Sequence, residues 1–158
     1  MTTKSRGFTL IELLVVVAIL GIIAAIGITS YSGYVSSSKK KAAENIMRQI
    51  ALGQSEYYSE NSIYLTEVGT SCNPTNKTST DIESELLGEA KVIIDPNSKD
   101  NPKEATSGYV ICLADHSSGY LIYAAEQDDP QNGCNMSLYA DSTFKRDDKK
   151  CYKRRCGL

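Results

Sequence analysis

Phe8-Thr9-Leu10-Ile11-Glu12, followed without a break by the apolar run Leu13 to Ile28, is the stretch on which the reading of this chain turns. In front of it stands a short polar and basic leader, Met1-Thr2-Thr3-Lys4-Ser5-Arg6-Gly7. A secretory signal peptide carries its small-residue cleavage site after the apolar stretch. Here the sensible cut falls after Gly7, ahead of that stretch, so the hydrophobic segment is expected to stay in the mature protein. Wound as a helix, Phe8 to Ile28 rises about 30 Å, enough to cross the hydrocarbon core of a bilayer. Lys4 and Arg6 precede the span, and a basic flank is retained on the cytoplasmic side, so the bulk of the chain is expected to face outward. A carboxylate at the edge of an apolar span is costly and marks function. An ordinary single-pass anchor gives no reason for Glu12.

The rest of the composition narrows the function classes. At 158 residues the chain fits one compact domain plus an anchor. Five cysteines in an exported domain favour disulfides over metal ligands. No Cys-x-x-Cys pair occurs and His116 is the only histidine, so a zinc site is poorly supplied with ligands, and no cofactor is expected. The same poverty argues against an enzyme: there is no Gly-x-Ser-x-Gly elbow and no glycine loop to cradle phosphate. His116, between Asp115 and Ser117-Ser118-Gly119, reads as a polar turn residue.

Residues 8 to about 60 read as one long helix in two halves. The first is apolar all round, as a membrane helix or filament core is. In the second, Ala42, Ile46, Ile50, Gly53 and Tyr57 recur at helical spacing, with Lys40, Glu44, Arg48 and Glu56 elsewhere on the circumference. Between the halves, Gly27 to Gly33 and Ser36-Ser37-Ser38 are weak helix formers, so the helix is expected to be continuous but soft there. Residues 66 to 107 are polar and punctuated by Asn73-Pro74, Asp95-Pro96 and Asn101-Pro102. Within them Thr80-Asp81-Ile82-Glu83 has capping-box spacing and predicts a short helix ending near Gly88, and Lys91 to Asp95 predicts a brief strand. Clearer strands follow at Gly108 to Ala114, Tyr120 to Ala125 and Asn135 to Ala140, the first two joined by the polar loop Asp115 to Gly119. The expected fold class is α+β, a long N-terminal helix packed by its apolar stripe on a small antiparallel sheet.

Gly7-Phe8-Thr9-Leu10-Ile11-Glu12 with the following Leu-Leu-Val-Val-Val-Ala-Ile-Leu-Gly-Ile-Ile-Ala-Ala-Ile resembles the class III signal of type IV pilins and their pseudopilin relatives. The resemblance covers residues 6 to 28. Looser similarity to a minor-pilin subgroup runs from Glu56 to Tyr64, at the helix exit, and from Cys134 through Asp141-Ser142-Thr143 to Cys151. The resemblance implies the type IV pilin fold in three parts. These are a leader peptide at 1–7, a transmembrane and filament-core helix at 8–35, and a periplasmic or extracellular head at 36–158 closed by a C-terminal disulfide loop. It implies a structural subunit, minor rather than major, of a type IV pilus, with a pseudopilin of type II secretion as another reading. Its partners would be other pilin subunits, the prepilin peptidase and N-methyltransferase, and the bacterial inner membrane before assembly at the cell surface. Cleavage would fall between Gly7 and Phe8, and Phe8 would be N-methylated. Glu12 would neutralise the new amine of Phe8, on its own or a neighbouring subunit, and register subunits in the filament. Where most relatives have proline this chain has Thr29, which keeps its N–H and requires no strong kink.

With one cysteine left over, each choice of the odd residue leaves three pairings. The resemblance implies Cys134 with Cys151, and then Cys72 with Cys112, leaving Cys156; Cys134–Cys156 is the competing bridge. Charge is divided unevenly. Residues 145–158 hold seven basic and two acidic side chains, while residues 8–144 hold eight basic and seventeen acidic. Such a cationic stripe, with Tyr152 among Lys149, Lys150, Lys153, Arg154 and Arg155, can track phosphates and stack on a base. Some minor pilins take up DNA, so DNA is a further partner to weigh. A basic tail that meets the acidic surface of the next subunit is the favoured reading, because the chain as a whole is not basic.

Overall fold

A computed structural model describes residues 8–66, 72–88, 90–99, 104–131 and 133–146. Helix α1 spans Leu10–Asn61, 52 residues without interruption, and is about 78 Å long. It runs unbroken through Gly27, Thr29 and Gly33. Its start is held by Thr9 and Glu12, and its end by Ser62, whose left-handed backbone (φ 59°) lets its N–H reach the Tyr58 carbonyl at 2.8 Å. The chain then turns back along the helix. The Gln54 side chain fixes this return, donating to the Leu65 carbonyl at 2.6 Å and accepting from the Leu65 N–H at 2.9 Å. Tyr64 stacks on Tyr58, ring centroids 4.5 Å apart, and meets Tyr120 edge to face at 5.0 Å, which ties the helix exit to the sheet.

Helix α2 spans Asn76–Leu86, earlier than Thr80-Asp81-Ile82-Glu83 predicted. Thr75 is the N-cap and exchanges hydrogen bonds with Thr78, a box that forms as soon as Asn73-Pro74 has been passed. Glu83 therefore lies inside the helix. It is fully buried, and its Oε1 accepts the Ile93 and Ile94 N–H groups at 2.7 and 3.1 Å. Those N–H groups are consequently not in a strand. Around Lys91 to Asp95 the ladder is reduced to a single bridge, Ile94 with Ala105.

The sheet is a four-stranded antiparallel meander in the order β1 (Tyr109–His116), β2 (Gly119–Glu126), β3 (Met136–Tyr139), β4 (Phe144–Arg146). The β1–β2 turn is only Ser117-Ser118. Asp115 and His116, expected in a loop, pair with Tyr120 and Gly119 at the solvated tip of the ladder. Strand β4 was not predicted, because three residues within a basic run carry no alternation of their own. It is returned to β3 by Asp141-Ser142-Thr143, where the Asp141 carboxylate accepts the Thr143 N–H at 2.8 Å and Ser142 is left-handed (φ 66°). The free edge of β1 is covered by α2: the Ile111 N–H donates to Ser79 Oγ at 2.9 Å, and Thr78 Oγ1 donates to the Ile111 carbonyl at 2.7 Å. An exposed edge is a template for unwanted pairing, and α2 removes it here.

The core lies between the sheet's inner face, α2 and the second half of α1. Ala43, Ile46, Met47 and Ile50 form the helix stripe, against Ile111, Ile122 and Met136. Ala42, placed in the stripe from the sequence, is exposed, and Ala43 takes its place. Glu44, placed on the outer circumference, is 8 % exposed. The architecture is the α+β arrangement read from the sequence.

Candidate functional site

From Leu10 to Ile28 no side chain of α1 packs on the head. Phe8 is 82 % exposed, and Leu10, Ile22 and Ile28 are 81, 64 and 72 % exposed. Soluble monomers rarely show more than a few hundred Å² of contiguous apolar surface. This stem is apolar on every side for several turns, so it needs a bilayer or other helices around it. By length and composition it can cross a membrane. The helix continues into Tyr31 and Tyr34, 69 and 72 % exposed, and then Lys39-Lys40-Lys41, the residue types that sit at a membrane–water boundary.

Glu12 is the only charged side chain between Phe8 and Ser38. Its carboxylate folds back over the first turn, where Oε2 accepts the Thr9 N–H at 2.9 Å and the Thr9 hydroxyl at 2.6 Å, while Thr9 Oγ1 accepts the Glu12 N–H at 3.3 Å. This capping box satisfies donors that the helix start leaves open. Thr9-x-x-Glu12 carries that signature in the sequence. The geometry has a chemical consequence: the carboxylate is held at the backbone of Thr9, one residue from Phe8. Gly7 lies outside the described residues.

Cys72 and Cys112 are disulfide-bonded, 40 residues apart, which ties the connecting region to β1. Cys134 is buried and disulfide-bonded, with its partner outside the described residues. Cys151 and Cys156 lie outside them, as do Lys149, Lys150, Tyr152, Lys153, Arg154 and Arg155. The described start of the cationic run is engaged within the head. Arg146 donates to Glu44 Oε2 at 2.8 Å, and the Lys145 ammonium stands 4.8 Å above the Tyr139 ring, whose other neighbour is the His116 ring. Lys41 also reaches Glu44 Oε2 at 2.9 Å, and Arg48 approaches Oε1 at 3.6 Å. Burial pushes the Glu44 carboxyl up, but the Lys41 hydrogen bond and the charges of Arg146, Lys41 and Arg48 outweigh it, and its pKa lies below the ordinary 4.5. Glu44 and Gln54 were missed as fixing points because a polar residue on an amphipathic helix looks the same in sequence whether its partner is water or a strand.

Residues 2–28 match the family model described as the prokaryotic N-terminal methylation motif. The chain is similar to the fimbrial protein EcpC of Eikenella corrodens, 44% identical over 59 residues, and to the type IV major pilin protein PilA of Myxococcus xanthus, 41% identical over 61. These matches cover 37% and 39% of this chain, and only 39% and 28% of the relatives' own lengths. A longer match joins it to the type IV major pilin protein PilE of Neisseria gonorrhoeae, 30% identical over 152 residues, 90% of this chain and 87% of that one. No solved structure matches the chain.

Proposed function

The chain belongs to the type IV pilin family, and from that premise we propose that it is a structural subunit of a type IV pilus, not an enzyme, assembled through its N-terminal helix. Residues 1–7 are the leader removed by the prepilin peptidase, Phe8 is the methylated N-terminus, and 8–35 span the inner membrane before entering the filament core. The head, from 36 onward, faces the periplasm and then the cell surface. One observation carries this reading: an apolar stem, bare of contacts with its own head from Leu10 to Ile28, with a single acid whose carboxylate is held at the Thr9 N–H, one residue from Phe8. Once Gly7 is cut away, the Phe8 amine is a cation with no counterion in an apolar medium, and Glu12 of the same or a neighbouring subunit supplies one. Leaving one member of such a pair unpartnered costs several kcal/mol.

Glu12→Ala is expected to leave membrane insertion and leader cleavage intact and to reduce incorporation into sheared filaments by about tenfold or more. Thr9→Ala separates this role from helix capping. It removes the cap hydroxyl, worth about 1 kcal/mol in a long helix, but keeps the acid, so filaments should form as in wild type. Wild-type incorporation of Glu12→Ala, or equal defects in both variants, would make Glu12 a cap and nothing more. Intact-mass analysis of the exported chain should give a methylated species starting at Phe8; recovery of Met1 to Gly7 on filaments would remove the processing step from the proposal. We read the subunit as minor on the similarity of Glu56 to Tyr64 to minor-pilin helix exits, and its abundance in sheared filaments decides that point.

A further inference from the structure

Where the stem meets the head, a cleft of about 400 Å³ opens between α1 and the corner of the sheet at which β1 begins and β2 ends. Tyr31, Val35 and Lys39 form the helix wall; Gly108, Glu126 and Asp128 belong to the other. The volume is in the range of small-ligand sites. Its height along the helix is telling. Tyr31 stands about 5 Å, Val35 about 10 Å and the Lys39 backbone about 16 Å beyond Ile28, the end of the apolar run. The headgroup layer adds roughly 5–8 Å on each side of the hydrocarbon core. Helical side chains lean towards the helix N-terminus, so Lys39 leans back towards that layer.

The chemistry of the two walls differs. Gly108 has a positive φ (+74°), which favours glycine, and the Lys39 side chain lies alongside it: a Cβ there would be in ordinary contact with Cδ and Nζ, both at 3.4 Å. Across the cleft Glu126 accepts the Tyr109 hydroxyl at 3.2 Å, and Asp128 is exposed beside it. Lys39 and Asp128 have no ionic partner among the described residues and do not bridge to each other. A cation faces carboxylates across a partly apolar gap, which suits a ligand that carries an anion and a cation on a short linker.

We propose that this cleft binds the headgroup of a bilayer phospholipid bearing a phosphate and a primary ammonium, with Lys39 taking the phosphate and Asp128 the ammonium. This rests on the reading that the stem spans a membrane before assembly. The carboxylate wall disfavours a headgroup with only negative charge, and a quaternary ammonium offers no N–H to Asp128.

The full chain would be reconstituted into vesicles of phosphatidylcholine and phosphatidylglycerol, with and without phosphatidylethanolamine. Vesicle flotation would be scored first, and then the lipids retained after mild detergent extraction would be measured by native mass spectrometry. The wild type should retain phosphatidylethanolamine over phosphatidylcholine by about fivefold or more, the worth of one charge-assisted hydrogen bond at a partly shielded site. Asp128→Asn and Lys39→Gln should each remove most of that preference while floating, and melting, as the wild type does. Equal retention of the two lipids, or an undiminished preference in both variants, overturns the proposal. If the variants keep the preference but are lost from sheared filaments, the cleft is a contact between subunits and the proposal also fails. A chain that floats with none of the vesicles overturns the membrane reading itself and the headgroup site with it.

Discussion

Glu44 shows how much one side chain decides at the residue scale. Its carboxylate gathers Lys41 and Arg48 from its own helix and Arg146 from β4, and so links the last described strand to α1. Lys41 and Arg48 are more than half exposed, so the pairs within the helix contribute little. Arg146, at 37 % side-chain exposure, is the stronger partner. Arg146→Ala is expected to lower stability by about 1–2 kcal/mol in urea unfolding, since it leaves a nearly buried carboxylate short of a donor. The pH dependence follows from the direction of the shift. The carboxyl is depressed in the folded head, so its stabilisation is complete above the unfolded value of 4.5 and is lost as pH falls through the lower folded value. Glu44→Gln should flatten the urea midpoint between pH 5 and 3 relative to wild type; the same acid slope in both would show that the charge on Glu44 does not matter to the fold.

At the scale of elements, the close approach of α1 to the end of α2 depends on Gly53. A Cβ at that position would lie 2.5 Å from the Leu86 carbonyl oxygen, a backbone atom that cannot swing aside. Two effects oppose each other in Gly53→Ala. Helix propensity favours alanine by about 1 kcal/mol, while overpacking a tight contact costs about 1–3 kcal/mol. Because the obstruction is backbone, overpacking should win, and thermal unfolding should show a net loss of about 1 kcal/mol or more. Gly27→Ala gives the contrast, as nothing lies within 4 Å of a Cβ there. Its head should melt as the wild type does. A stabilised Gly53→Ala would mean that α2 shifts freely on α1. The Cys72–Cys112 bridge and the Thr78 and Ser79 hydroxyls, all acting on β1, argue against such a shift.

The whole molecule divides into a stem that contributes no residue to the core and a head that holds its own. Removing residues 8–35 should therefore convert a detergent-dependent protein into a freely soluble one with an unchanged head. Its thermal midpoint should stay within about 2 °C of the full chain in detergent, a shift equivalent to well under 1 kcal/mol. A drop of ten degrees or so would show that the stem supports the head after all. This division fits the proposed function, in which the stem provides the polymerising surface and the head is free to differ in sequence. It agrees with the pattern of similarity, which is strongest over short stretches and thins to 30% identity over nearly the whole chain.

The sequence by itself determined the stem, the single acid within it, the α+β class and the two main hairpin strands. Each rests on signals local to the chain: unbroken apolarity over Leu13 to Ile28, short apolar runs with β-branched and aromatic residues in β1 and β2, and turn formers between them. Tertiary structure alone decided where polar groups went. Thr80-Asp81-Ile82-Glu83 looked like a helix start, but Thr75 and Thr78 made the cap first, and Glu83 was buried to hold the Ile93 and Ile94 N–H groups. Ala42 and Ala43 are equivalent in a helical pattern until a sheet selects the face. Phe144 to Arg146 became a strand because β3 was there to pair with, and Arg146 then reached Glu44. The reason is common to these cases: apolar residues leave a periodic imprint on the chain, whereas a buried carboxylate, amide or hydroxyl is fixed by a single partner whose place is set only when distant segments meet.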